Sequence, residues 1–151
     1  MFGNKGRDAA MKELKQLVER NCWRPILVSE LTPEERQKSV DSMMLLAEKN
    51  DGSVKGRHVF QGSQTRDWVS REETASPTAS LEAITTTCVI DAHEGRDVMT
   101  CDIPNAFIQT EIPEVEDGTA RMTMKITGLV VDYLIELDPN YRKYVVMERG
   151  Q

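Results

Sequence analysis

The residues best suited to chemistry stand in one run, Asp97-Val98-Met99-Thr100-Cys101-Asp102-Ile103-Pro104-Asn105-Ala106-Phe107-Ile108-Gln109. Val98, Met99 and Cys101 read as a short buried strand that ends in Asp102. Pro104-Asn105 then turns the chain before Ala106-Phe107-Ile108. A strand holds a carboxylate at its C-terminal edge rigidly. Such a group is costly to bury alone and wants a cation or strong donors. Taken singly, an aspartate placed like Asp102 is more often a cap or turn former than a ligand, and a phenylalanine like Phe107 more often a core residue. The second chemical candidate is basic: Lys55, Arg57 and His58 lie in Ser53 to Phe60. On a projecting hairpin they would offer cations to phosphates. Lysine and arginine also guard exposed edge strands, which is the plainer reading of the same residues.

The elements that must position these groups are readable in outline. Met11, Leu14, Leu17 and Val18 predict an amphipathic helix over residues 8–20. Thr32-Pro33-Glu34-Glu35 is a helix start with a cap, a proline at the first position and a glutamate three residues on. That helix is expected to run to Asp41 or Ser42. Asn50-Asp51-Gly52 between two extended runs predicts a hairpin of residues 43–49 and 53–60, although Met43 to Leu46 could instead prolong the helix. Residues 61–76 read as loop, with Trp68 packing it onto the body. Leu81, Ile84, Cys88 and Val89 predict a helix from Thr78 or Ser80 to His93, capped by Gly95. Residues 110–119 are acidic and turn-rich. Met122, Met124 and Ile126 alternate as a half-buried strand, and residues 127–137 follow as a helix. Tyr144 to Met147 look like a further strand.

Composition narrows the classes. The chain has 151 residues, enough for one domain with a core, and no run of about 18 apolar residues that could span a membrane. The charged N-terminus lacks the apolar segment of a secretory signal. Cys22, Cys88 and Cys101 are far apart and form no Cys-x-x-Cys pair, which argues against structural zinc and for reduced thiols inside the cell. His58 and His93 are too distant in sequence to suggest a histidine metal pair. A net charge of -6 argues weakly against nucleic acid, but its distribution is uneven. Residues 53–71 carry a local +3, and residues 72–118 hold eleven acidic residues against Arg96 alone. A basic stretch followed by an acidic one fits a polyanion-contacting face beside a cation-binding one.

The run Asp102-Ile103-Pro104-Asn105-Ala106-Phe107 resembles the first catalytic-aspartate motif of reverse transcriptases, in the form found in copia-type LTR retrotransposons. Supporting pieces follow in family order: Glu13 to Leu17, Leu31 to Arg36, Asp51 to Arg57, Ala75 to Ala83 and Asp97 to Thr110. The resemblance covers roughly Lys12 to Met147. It implies an α+β fold, the partial fingers and palm of a right-hand polymerase, with a mixed or antiparallel sheet and packed helices. Residues 1–151 would form one incomplete domain, with 1–42 helical, 43–95 fingers-like and 96–151 early palm. It implies RNA-directed DNA polymerase chemistry with Mg2+, a template-primer of RNA or DNA, and deoxynucleotides. Asp102 and the Ile103 carbonyl would be metal ligands, and Asp102 the catalytic carboxylate. Phe107 would exclude a ribose 2′-hydroxyl, and Lys55 or, preferably, Arg57 would neutralise the triphosphate. The family's setting is cytoplasmic, in virus-like particles. The chain departs from the family in having no Asp-Asp pair, the motif that supplies the remaining metal ligands. The expectation is therefore a fragment inactive alone. The alternatives are a non-catalytic nucleic-acid-binding or interaction module, or a relic without function.

Overall fold

A computed structural model describes residues 2–65, 78–110 and 121–146. The chain divides into two compact units, Met1–Asp67 with Ile112–Gln151, and Trp68–Glu111.

The first unit opens with helix α1 (Gly3–Glu19), which buries Gly6, Ala9, Ala10, Leu14 and Leu17 along one face. It stops where Asn21 takes a left-handed conformation (φ 53°). The Cys22 amide then reaches back to the Leu17 carbonyl (3.1 Å) and the Asn21 amide to Val18 (3.0 Å), which satisfies the last carbonyls of the helix. Helix α2 (Pro33–Lys38) begins with the predicted cap: Thr32 Oγ1 accepts from the Glu35 amide (3.1 Å), and Glu35 Oε2 accepts from the Thr32 amide (2.9 Å).

Strands β1 (Val40–Glu48) and β2 (Val54–Phe60) form the predicted antiparallel hairpin, with Leu45 opposite Arg57 and Ala47 opposite Lys55. Gly52 supplies the positive φ (75°) that its turn requires. Asp51 accepts from the Ser53 amide (2.9 Å) and hydroxyl (2.6 Å), which hold its carboxyl below the ordinary range. Met43 to Leu46 thus belong to β1, and α2 ends at Lys38, short of the expected Ser42. The physical reason is competition for backbone groups. Ser39 Oγ donates to the Glu35 carbonyl (2.8 Å) at the helix end, and the Val40 amide is taken by Thr123 O (3.0 Å).

Strand β3 (Met124–Lys125) lies parallel to β1, so the sheet is mixed, in the order β2-β1-β3. It is shorter than the expected 121–126. Helix α4 (Leu129–Leu137) follows and buries Leu134. The strand expected at Tyr144 to Met147 is not formed over its described part. Asp138 accepts from the Asn140 amide (2.9 Å) and starts a 3-10 turn, Pro139–Tyr144, in its place.

In the second unit, helix α3 (Leu81–Glu94) has the expected ends. Ser80 Oγ accepts from Ala83 N (3.2 Å), and Gly95 closes it at φ 66°. Thr85 and Thr87 donate their hydroxyls to the carbonyls of Leu81 (2.8 Å) and Ala83 (2.9 Å), four residues back. The expected apolar stripe is left exposed: Leu81 is 76% exposed and Val89 63%. Residues 96–103 are irregular, which corrects the expected buried strand; Met99 is 85% exposed. An isolated strand leaves its amides and carbonyls without a ladder, and no described residue of this unit provides one.

The architecture is therefore α+β, with a three-stranded mixed sheet and several helices. Its core is where α1 crosses β2. A Cβ at Gly56 would lie 2.7 Å from the Ala9 carbonyl oxygen and 3.0 Å from its carbon, both backbone atoms that cannot step aside singly. Gly56→Ala is expected to destabilise the chain by about 1–3 kcal/mol, seen as a lowered midpoint in thermal melts; an unchanged midpoint would show that α1 can lift off at little cost.

Glu35 makes the second long-range tie. Its buried carboxylate takes Arg121 in a fork, 2.6 Å to Nε and 3.1 Å to Nη2. The guanidinium, with the Thr32 amide, holds the carboxyl down to about 2 from an ordinary 4.5. A carboxyl depressed by folding contributes stability above its unfolded value, lost as pH falls toward its folded one. The melting midpoint should therefore fall more steeply between these two values in the wild type than in Glu35→Gln; parallel slopes would discount the fork as the source.

Candidate functional site

Lys55 and Arg57 are carried by β2, two positions apart and so on the same face of the sheet, about 7 Å apart along the strand. Gly56 between them faces α1. The alternation that buries the glycine thus turns both cations outward. Across the hairpin their partners are Ala47 and Leu45, the latter 48% exposed, with Met43 exposed beyond them. The open face is an apolar strip flanked by two positive charges. Neither cation is paired with a described carboxylate. Of the other described cations of this unit, Arg7 pairs with Glu136 (2.7 Å), Lys38 with Glu34 (2.6 Å), Lys125 with Asp41 (3.3 Å) and Arg121 with Glu35, whereas Lys5, Lys12, Arg20, Arg24, Lys49 and Arg142, like Lys55 and Arg57, pair with no described carboxylate. An open cleft of about 500 Å³ lies beside the hairpin turn. Lys5 and Lys12 line it with Asp8 and Asp51, so its charges balance and it does not select an anion.

Asp102, Ile103 and Phe107 belong to the second unit. Asp102 is exposed and makes no hydrogen bond or ion pair with a described residue. Ile103 is 62% exposed. The Pro104-Asn105 turn is present as expected, and Asn105 adopts φ 56°, a conformation its short polar side chain tolerates. Gln109 Nε2 donates to the Pro104 carbonyl (2.7 Å), and the Ile108 amide to the Asn105 carbonyl (2.9 Å). These bonds clamp a 3-10 turn, Ala106–Gln109, which contains Phe107. The motif is therefore a hydrogen-bonded turn that follows an irregular segment, with its carboxylate exposed.

The expected site residues thus divide between the two units, with Lys55 and Arg57 in one and Asp102, Ile103 and Phe107 in the other. Among the described residues no three histidine, cysteine or carboxylate side chains gather around a possible cation. Asp102 and the Ile103 carbonyl bring two kinds of oxygen donor, which suits Mg2+ chemically. Six oxygens complete that ion's octahedron, so these two donors alone would not hold it. Trp68 and the acidic residues 111–120 lie outside the described residues. Among the described residues no helix is long and apolar enough to cross a membrane.

Two arrangements were not foreseen from sequence: the Glu35–Arg121 fork, and a group around His58 formed by Ser42, Trp23 and Tyr141. The capping pattern marked Glu35, but nothing local marked its partner 86 positions away. No protein-family model, curated protein or solved structure matches the chain.

Proposed function

We propose that this chain is the fingers and early-palm portion of an RNA-directed DNA polymerase of the copia-type retrotransposon class. The observation that carries the reading is the β1–β2 hairpin, which presents Lys55 and Arg57 on one open face, neither paired with a described carboxylate. The ordered motifs, from Thr32-Pro33-Glu34-Glu35 through Asp51-Gly52 to Asp102-Ile103-Pro104-Asn105-Ala106-Phe107, support it.

In this reading Arg57, with Lys55, meets the triphosphate or the nucleic-acid backbone. Asp102 and the Ile103 carbonyl hold metal, and Phe107 stands under the sugar and selects deoxyribose by steric conflict with a 2′-hydroxyl. Two divalent cations would supply activation of the primer 3′-hydroxyl and neutralisation of the leaving pyrophosphate. The chain's sequence has no Asp-Asp pair to complete their ligands. It is accordingly a binding portion, and nucleotide addition needs carboxylates from elsewhere. Primer extension with the chain, a homopolymer template and deoxynucleotides should give no incorporation above a no-protein control. Incorporation would overturn the view that one carboxylate is too few.

A second reading, a non-catalytic interaction module, is favoured by the exposed apolar residues of α3, among them Leu81, Ile84 and Val89. Binding separates the two. A labelled primer-template titrated across salt concentrations should bind with a strong salt dependence. Arg57→Ala should weaken binding and reduce the magnitude of the log-log salt slope by about 1. No binding, or a slope unmoved by the substitution, would favour the interaction module.

A further inference from the structure

Strand β1 is nine residues long, yet β3 pairs only with its Val40 and Asp41. The hydrogen bonds of the hairpin show which groups of the remainder are left open. The Gln61 amide donates to the Asp41 carbonyl (3.0 Å) at one end, and the Lys49 amide to the Ser53 carbonyl (2.8 Å) at the other. Antiparallel pairs alternate between bonded and non-bonded, so the odd-numbered residues of β1 turn their amides and carbonyls toward β2, and the even-numbered ones turn theirs away. Val40 fits this pattern, since its amide reaches Thr123 on the β3 side (3.0 Å). The outward amides and carbonyls of Met44, Leu46 and Glu48 make no hydrogen bond with a described residue. The outer edge of β2 differs: Glu13 of α1 accepts from the His58 amide there (3.4 Å), and the α1 backbone lies against Gly56. Open edges are ordinarily guarded by proline, lysine or a bulge. Residues 44–48 hold neither proline nor lysine, their pairing with β2 is continuous, and Met43 and Leu45 beside them are exposed.

We propose that this edge is a self-association surface whose occupant is β1 of a second copy, antiparallel about a two-fold axis at Leu46. The open residues are spaced evenly about Leu46, so the edge is complementary to itself. Pairing on that axis sets Leu46 opposite Leu46 of the second copy and Met44 opposite its Glu48. Every open amide and carbonyl then has a partner, about six hydrogen bonds in all. Neighbouring registers fail. An axis at Leu45 would bring Lys49 of the second copy opposite Asp41, where Lys125 of β3 already stands. An axis at Ala47 would leave Met44 facing the hairpin turn. Charge agrees with the Leu46 register. Glu48 falls beside Met44 rather than another acid. Lys49, which has no described carboxylate of its own, comes diagonal to Asp41 of the second copy, about 7–8 Å away and within a lysine's reach. On the open face Leu45 falls beside Ala47 of the second copy. Lys55 and Arg57 of the two copies stay on the outer strands, about 14 Å apart across the sheet, where salt largely screens them. Such a contact is isologous and closes at two copies. It is also small, so the dimer is reversible and depends on concentration.

Sedimentation velocity of the full chain over a wide concentration range should show a monomer–dimer equilibrium. Glu48→Pro removes an outward amide that the hairpin does not use, and should weaken the dimer at least about tenfold. A chain monomeric throughout overturns the proposal. So does a dimer that Glu48→Pro leaves intact, which would place the contact elsewhere, the exposed residues of α3 first. Register is read by crosslinking in a chain with Cys22→Ser, Cys88→Ser and Cys101→Ser, the three cysteines being exposed. Leu45→Cys and Ala47→Cys chains, mixed and mildly oxidised, should join by a disulfide, because these positions face each other as a non-bonded pair about 4.5 Å apart. Either variant alone should crosslink far less, since like positions lie on the diagonal, about 7–8 Å apart. Absence of the mixed product, or equal yields from the single variants, overturns the two-fold pairing. Should Glu48→Pro not fold, the mixture decides.

Discussion

Everything in the larger unit depends on how closely α1 can approach β2. The approach is closest at Gly56, where the strand backbone lies against the Ala9 carbonyl with no room for a methyl group. Ala9 and Ala10 offer the matching low surface on the helix, and Leu14 and Leu17 continue the seam as its buried bulk. Small residues at the crossing thus exchange side-chain burial for backbone proximity, a packing in which dispersion contacts are dense and tolerance is low. One outcome is functional. With the glycine facing inward, strand alternation has no choice but to turn Lys55 and Arg57 to the open side.

Away from that crossing the unit is held by polar ties rather than by a large core. Among the described residues, Val40, Leu134 and the α1 residues are the buried apolar groups; Glu35 is as buried as Leu134. It meets that burial with a capped amide and a forked arginine, so that no buried side-chain donor or acceptor among the described residues lacks a partner. Ser39 and Thr123 repeat the logic beside it, 2.7 Å apart and both bonded to the Glu35 carbonyl. The junction of α2, β1 and β3 is therefore specified by hydrogen-bond geometry, which is directional, where α1 and β2 are specified by shape.

What could be read from sequence was what is decided within a few residues. The Thr32 cap, the Asp51-Gly52 turn, the Ser80 and Gly95 ends of α3 and the alternation that pairs Lys55 with Arg57 all rest on local stereochemistry. The failures have one cause as well. Val98 to Cys101 have the composition of a buried strand, but a strand exists only with a neighbour, and composition does not say whether one is near. Tyr144 to Val146 were misread for the same reason, since Asp138 captured the backbone first. Of the candidate site, the Pro104-Asn105 turn was legible. The open surroundings of Asp102 were not, because burial is a property of the whole fold.

The parallel pairing of β1 with β3 sets an order of assembly. The stitched residues Ser39 and Thr123 are 84 positions apart, and the whole second unit lies between them in the chain. Helix α1 and the hairpin are contiguous, so on a ribosome they can collapse as soon as they emerge. Their third strand arrives only after the intervening chain has been made. Until then the Val40–Asp41 end of β1 lacks its second neighbour, and loop-closure entropy delays that pairing. The nascent chain must pass through an interval in which its best-formed element is also the one most exposed to pairing with the wrong strand.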